Sequence, residues 1–246
     1  MAKVKITPKM LKQTKLIQKE TQRVTEQNYK AIAKVFRDFG NETEQQFSKI
    51  STSDLMWDKL KSRLEIVLST NSKRSTKSFV NFLNKLFDFK LKTDKIESVE
   101  NETVNKYAKG LAKKVTYVTE TTKNQISTLI DNNKGLNTND LAKLINEKFV
   151  EISKGRARTI ARTETASLFS KSNRNIADEV GLKYATWIHG VSSPNERPHH
   201  RDLSGTKIST KDKFIVNGKE CNGQHDDVLG AEDIVNCSCT CIFSNR

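Results

Sequence analysis

Up to residue 180 the chain contains a single proline, Pro8, and four glycines, Gly40, Gly110, Gly135 and Gly155, whereas the last 66 residues hold two prolines and six glycines. Inside a helix, proline removes a hydrogen bond and clashes with the preceding turn, and glycine costs about 1 kcal/mol. A stretch so poor in both suits long helices wherever its apolar residues recur every three or four positions. Between 8 and 39 the apolar positions Met10, Ile17, Val24, Ile32, Val35, Phe36 and Phe39 form a narrow seam in a polar background, with Gly40 and Asn41 as the expected stop. Two shorter helices are predicted over 55–68, with Leu60, Leu64 and Val67 on one face, and over 78–89, with Phe79, Phe82, Leu83 and Leu86 on another. From 95 to 131 the seam Val104, Ala108, Leu111, Val115, Val118, Thr122, Ile126 and Leu129 keeps a spacing of three or four throughout. That seam suits an antiparallel helical hairpin or an oligomeric coiled coil.

Gly135 then punctuates the chain, and Asn137 is placed to cap a new helix with Asp140 at its third position. A further helix, 153–180, carries GRARTIARTETASLFSKSNRNIADEVG and stops at Gly181. Beyond it the period changes from helical to alternating. KYATWIHG reads as a strand, KFIVNGKE as a strand entering a turn at Asn217-Gly218, and the closing VNCSCTCIF (235–243) as another strand. The expected fold class is α+β: a mainly helical N-terminal region with long helices, then a small α+β C-terminal domain with a few short strands. The boundary is drawn near residue 134, separating a helical extension (1–134) from a domain over 135–246.

A formal net charge of +14 accompanies this pattern, and all of the excess lies in the first 200 residues. Such a balance favours polyanionic partners, nucleic acid first, because phosphate contacts release counterions whatever the base sequence. No run of basic residues sharpens the inference. The basic N-terminus lacks the apolar core of a secretory leader, and no stretch is apolar enough to span a membrane. All four cysteines fall in the last 26 residues, so disulfides are not expected to staple most of the chain, and synthesis in a reducing cytoplasm is expected.

All four histidines, His189, His199, His200 and His225, share that terminal portion with Cys221, Cys237, Cys239 and Cys241. Thiolate and imidazole are zinc ligands, and a small domain gains folding free energy from a tetrahedral zinc. A structural site would draw on Cys237, Cys239 and His200, with Cys221 or His225 completing it. The alternatives are buried thiols acting as small apolar residues, and a disulfide. On the helix before the sheet, Arg158, Arg162 and Thr165 share one face, with Glu164 off it. Those arginines either meet nucleic-acid phosphate or anchor the helix to its own domain. His199-His200 beside Arg197 and Asp202, with His225, Asp226 and Asp227 downstream, outline a metal-dependent nuclease centre that lacks a nucleophile-base-orienter set. The chain has no Walker-type loop, no dinucleotide-binding glycine pattern and no His-Glu-x-x-His.

Taken in order, IARTET (160–165), ADEVG (177–181), Trp187, the R-x-x-H of Arg197 to His200, DLSG (202–205), FIVNG (214–218) and NCSC (236–239) resemble the phage Mu protein F-like head morphogenesis domain. The resemblance covers about residues 135–243. It implies a minor head protein of a tailed phage, made in the host cytoplasm and resident in the virion at the portal vertex. Implied partners are the portal protein, non-specifically bound double-stranded DNA and scaffold or major capsid protein, with no membrane contact, no catalytic residues and a role in head morphogenesis and genome ejection. The positions matching the family are Arg162, Thr163, Glu164, Trp187, Arg197, His200, Gly205, Cys237 and Cys239. Ser238 stands where the family has arginine, and Cys241 is an addition expected to be dispensable. The competing class is a zinc-dependent nuclease or toxin-like enzyme centred on the His/Cys cluster.

Overall fold

In the computed structural model, which describes residues 2–47, 57–190 and 197–245, long helices lead into a region of short antiparallel strands, the α+β class expected. The elements are β1 (Ala2–Lys3), α1 (Pro8–Gln46), α2 (Trp57–Phe87), α3 (Thr93–Asp131), α4 (Thr138–Lys154), α5 (Arg156–Glu179), β2 (Tyr184–Ile188), α6 (Pro198–Asp202), β3 (Thr206–Ser209), β4 (Phe214–Val216), β5 (Lys219–Cys221), α7 (Ala231–Ile234) and β6 (Thr240–Ser244). No described helix is long and apolar enough to cross a membrane.

Three helical expectations are corrected. Helix α1 runs through Gly40 instead of stopping there. A Cβ on Gly40 would lie 2.6 Å from the Cβ of Phe149, so this glycine serves close packing within the helix, not termination. The helices expected over 55–68 and 78–89 are one element, α2; Leu55 and Met56 lie outside the described residues. The intervening STNSKRSTK is polar but contains no breaker, and its Asn71, Ser72, Ser75 and Thr76 are buried. In α3 the seam is buried from Leu111 to Ile126, but towards the N-terminus the stripe shifts by one position to Val99, Thr103 and Tyr107, leaving Ala108 exposed. Within that stripe the buried Thr103 Oγ1 accepts from Asn175 at 2.8 Å.

The cap of α4 matches expectation, with the Asp140 N–H donating to Asn137 Oδ1 at 3.0 Å. Gly155 separates α4 from α5, and α5 ends where Gly181 takes φ +69° and Leu182 N–H returns to Ala177 O at 2.8 Å.

The chain contains two compact units. One gathers residues 26–71 and 108–161; its core includes Ile32, Phe36, Leu60, Leu64, Ile145 and Phe149, and Phe39 meets Phe149 edge-on at 5.3 Å. The other gathers residues 1–25, 72–107 and 162–246 and holds both sheets. Its main sheet has strand order β1-β3-β2-β6, all pairs antiparallel, with β2 central and its Ala185, Thr186, Trp187 and Ile188 all buried. Strands β4 and β5 form a separate hairpin across Asn217 (φ 54°) and Gly218 (φ 74°), the two left-handed residues that a tight hairpin turn requires. The edge strand β1 comes from the N-terminus, pairing Ala2 with Lys207 and Lys3 with Thr206. Two residues carry no periodicity, so sequence reasoning had no signal for this strand.

The closing strand is shorter than expected. Only Thr240–Ser244 is β-structure, because Asn236 adopts φ 58° and turns the chain before Cys237. Cys237 and Cys239 therefore precede the strand, and Cys241 lies within it, paired with Trp187 of β2.

Candidate metal centre

Beside the buried Trp187, α6 brings His200 up to the two cysteines that lead into β6. His200 is 1% exposed, with its ring set edge-on to Trp187 at a centroid distance of 5.5 Å. Its Nδ1 lies 3.5 Å from Cys237 Sγ and 3.7 Å from Cys239 Sγ. On the other side of the ring, Nε2 faces Asp233 Oδ1 at 3.6 Å. That same carboxylate oxygen sits 2.8 Å from His199 Nε2, and the Asp233 side chain is fully buried.

The segment that presents the thiols is held from several directions. Arg197 donates through Nε to Glu232 O and through its terminal nitrogen to Val235 O at 2.8 Å, tying the entry of α6 to the end of α7. The Asn236 turn is gripped by α5: Arg162 donates to Asn236 Oδ1 at 3.3 Å, and Asn236 N–H donates to Thr163 Oγ1 at 3.4 Å. Asn173 of the same helix donates to Cys241 O at 2.8 Å. His225 donates from Nε2 to Cys237 O at 3.1 Å. Gly190 admits no side chain, since a Cβ there would sit 2.1 Å from Ser238 O.

These contacts polarise the two thiols oppositely. Cys239 is pulled down to about 4, first by the hydrogen bond from Cys237, against burial, and then by His200 and the Gly190 N–H. Cys237 is pushed well up by the same bond and by burial. Cys221 is pushed up to about 11 and Cys241 still further, both chiefly by desolvation, and all four are free thiols.

Residues 124–242, just under half the chain, match the model of the family described as Phage Mu protein F like protein. This region is a Mu F-like domain. The chain is also similar to an uncharacterized Bacillus subtilis protein, YqbB, at 32% identity over 93 residues, which span 36% of this chain and 30% of that one. It is similar as well to the Enterococcus faecalis NAD(+)--arginine ADP-ribosyltransferase EFV, at 31% identity over 107 residues, spanning 42% of this chain and 21% of that one. The chain thus covers less than a third of either relative. No solved structure matches.

Within the Mu F-like domain, the residues singled out from sequence take distinct places. Arg162 and Thr163 hold the turn before the thiols, while Glu164 faces the phenol of Tyr107, whose pKa is raised by burial and then by this carboxylate. Gly205 has φ +80°, and its N–H donates to Trp187 O at 2.8 Å. A Cβ there would meet Val4 O at 2.8 Å, so glycine is what lets the N-terminal strand dock. His200, Cys237 and Cys239 lie together. Cys221, expected as a further ligand, does not join them: it closes β5 opposite Phe214 and packs in the apolar core beside Cys241. His225 approaches the backbone of Cys237, not the sulfur cluster.

Arg158 pairs with Glu26 and lies over the Tyr29 ring at 4.1 Å, the anchoring alternative for that side chain. The outlined nuclease set is dispersed: Asp226 accepts from the Asn222 backbone at 2.7 Å, and Asp227 pairs with Lys171 at 2.7 Å. Sequence reasoning missed Asp233 and Gly190. Asp233 sits in a four-residue helix beside Glu232, and nothing in GAEDIV distinguishes the buried acid from the exposed one.

Proposed function

We propose that this chain is a minor head protein that works at the portal vertex during head assembly and stays in the virion with the packaged genome. Residues 135–246 act as the docking domain and residues 1–134 as its helical extension. The observation that carries the reading is the family match over 124–242. The charge supports it: an excess of +14 favours a DNA-filled shell, where neutralising phosphates releases counterions. The portal protein is the proposed principal partner, with scaffold or major capsid protein met during assembly in the host cytoplasm and double-stranded DNA met afterwards without sequence preference. Passage out of the head with the genome belongs to the same proposal.

The role is one of docking, not catalysis. The competing reading is a zinc-dependent nuclease or toxin-like activity centred on the His/Cys cluster; the ADP-ribosyltransferase relative adds little to it, since the similarity spans only 21% of that protein. The proposal treats the matched stretch as a module that different proteins carry.

Assembling heads with and without this chain tests the reading. The chain should co-purify with portal-containing particles, and its retention on DNA should fall steeply with salt. Heads that form and fill normally without it, or a chain absent from purified particles, would sink the proposal. Metal-dependent cleavage of DNA or RNA, abolished in His200→Ala while the fold survives, would replace docking with catalysis.

A further inference from the structure

We propose that His200 Nδ1, Cys237 Sγ and Cys239 Sγ bind one zinc ion, backed by Asp233 through the other ring nitrogen of His200. The proposal stands independently of the head-assembly reading.

The distances carry it. With Zn–S near 2.3 Å and Zn–N near 2.0 Å, the nitrogen-to-sulfur edge of a tetrahedron is about 3.6 Å. The two edges here are 3.5 and 3.7 Å, and all three donor atoms lie within 4.8 Å of one another. A hydrogen bond explains one thiol against an imidazole nitrogen. Two thiols on the same nitrogen, each at an edge length, describe convergence on a shared point instead.

The second shell points the same way. A zinc-bound histidine commonly turns its other ring nitrogen towards a carboxylate, which fixes its orientation and raises its basicity. Asp233 holds that place, facing His200 Nε2 at 3.6 Å; with His199 and His200 it also forms a second cluster of possible donors, all of them oxygen or nitrogen. A fully buried carboxylate is costly unless charge compensates it, and its Oδ2 has no hydrogen-bond partner. A divalent cation bound one ring away would supply that compensation. The Gly190 N–H directed at Cys239 adds a donor to a ligating sulfur.

Ligand chemistry selects the metal. Two thiolates with an imidazole suit zinc, whereas calcium and magnesium take oxygen. Cys221 and Cys241, equally buried, join no such group among the described residues. The ion would tie α6 to the segment entering β6, two pieces of chain 37 residues apart. Three protein donors leave a fourth position for a light atom.

Metal content of the tag-free full-length chain, purified under reducing conditions without chelator, is the direct test. Near one zinc per chain is expected, lost in Cys237→Ser and in Cys239→Ser but kept in Cys221→Ser and Cys241→Ser. Because a serine variant can fail by misfolding, X-ray absorption on the unaltered protein provides a second measurement: two sulfurs at about 2.3 Å with lighter atoms completing the shell. A chain purified with negligible zinc that also takes up none on titration would overturn the proposal, as would a shell without sulfur or zinc retained in both serine variants. Asp233→Asn should weaken zinc binding about 10- to 100-fold; unchanged affinity would overturn its role as the outer partner.

Discussion

The unit of residues 26–71 and 108–161 and the strand region of residues 184–245 solve folding differently. In the first, aliphatic and aromatic side chains repeat along long helices, and the ion pairs lie nearer the surface: Lys34 with Asp38, Glu42 with Lys59 and Arg63, and Arg158 with Glu26. In the second, strands of three to five residues surround Trp187 and Phe214, and the buried set includes four thiols, His200, His225 and Asp233. Long helices spread their burial over many interchangeable contacts. Short strands cannot, so the second region depends on a few residues, each with a geometric requirement of its own.

Substitutions can break that contrast. Trp187→Ala should cost about 3–5 kcal/mol in urea unfolding, because a fully buried indole leaves a cavity among Phe214 and His200. Trp57, the other of the chain's two tryptophans, remains as a fluorescence reporter. A loss below about 1 kcal/mol would mean that the strand region redistributes its packing as helices do. Gly205→Ala comes next, at about 1–3 kcal/mol, since a positive φ and the Val4 carbonyl both oppose a side chain. Gly218→Ala is its control. It shares the left-handed backbone but faces open space, so it should cost about 1 kcal/mol, and equal losses would show that docking of β1 contributes little.

In the helical unit, Ile32→Val should cost only about 0.5–1.5 kcal/mol, measured by the same unfolding titration. The smallest effect belongs to Glu42→Gln. The Glu42 carboxyl is held below its ordinary value, first by the hydrogen bond from Lys59 and then by Arg63, so the folded chain favours its charged form. Its contribution is complete above the ordinary value of 4.5 and is lost as pH falls through the lower folded value. At neutral pH the pair is screened, and about 0.2–1 kcal/mol is expected. Parallel titrations at neutral and acid pH should find the variant weaker only at neutral pH.

The two regions also differ in how openly the sequence announces them. The stripe through Leu111, Val115, Val118 and Ile126 was visible because burial on a helix repeats along the chain. So was the hairpin at Asn217-Gly218, where the turn residues are set by local backbone geometry. The convergence of His200, Cys237 and Cys239 was half legible: residue types suggested ligands, but spacing also admitted Cys221. Whether a thiol faces His200 or the apolar core depends on the turn at Asn236 and on the grip of Arg162 and Thr163. Asp233 and Gly190 were invisible, since a buried acid and a close backbone approach leave no periodic mark.

By itself the sequence determined the helical and strand-rich regions, the family of the C-terminal part and the residue types able to hold a metal. All of these follow from local preference, periodicity or a short ordered motif. Only the tertiary structure decided that residues 2–3 form a strand of the terminal sheet, that Gly40 lies within a helix, and that two of four thiols turn towards one imidazole. Each of those outcomes rests on contacts between residues far apart in the chain, which no local pattern encodes.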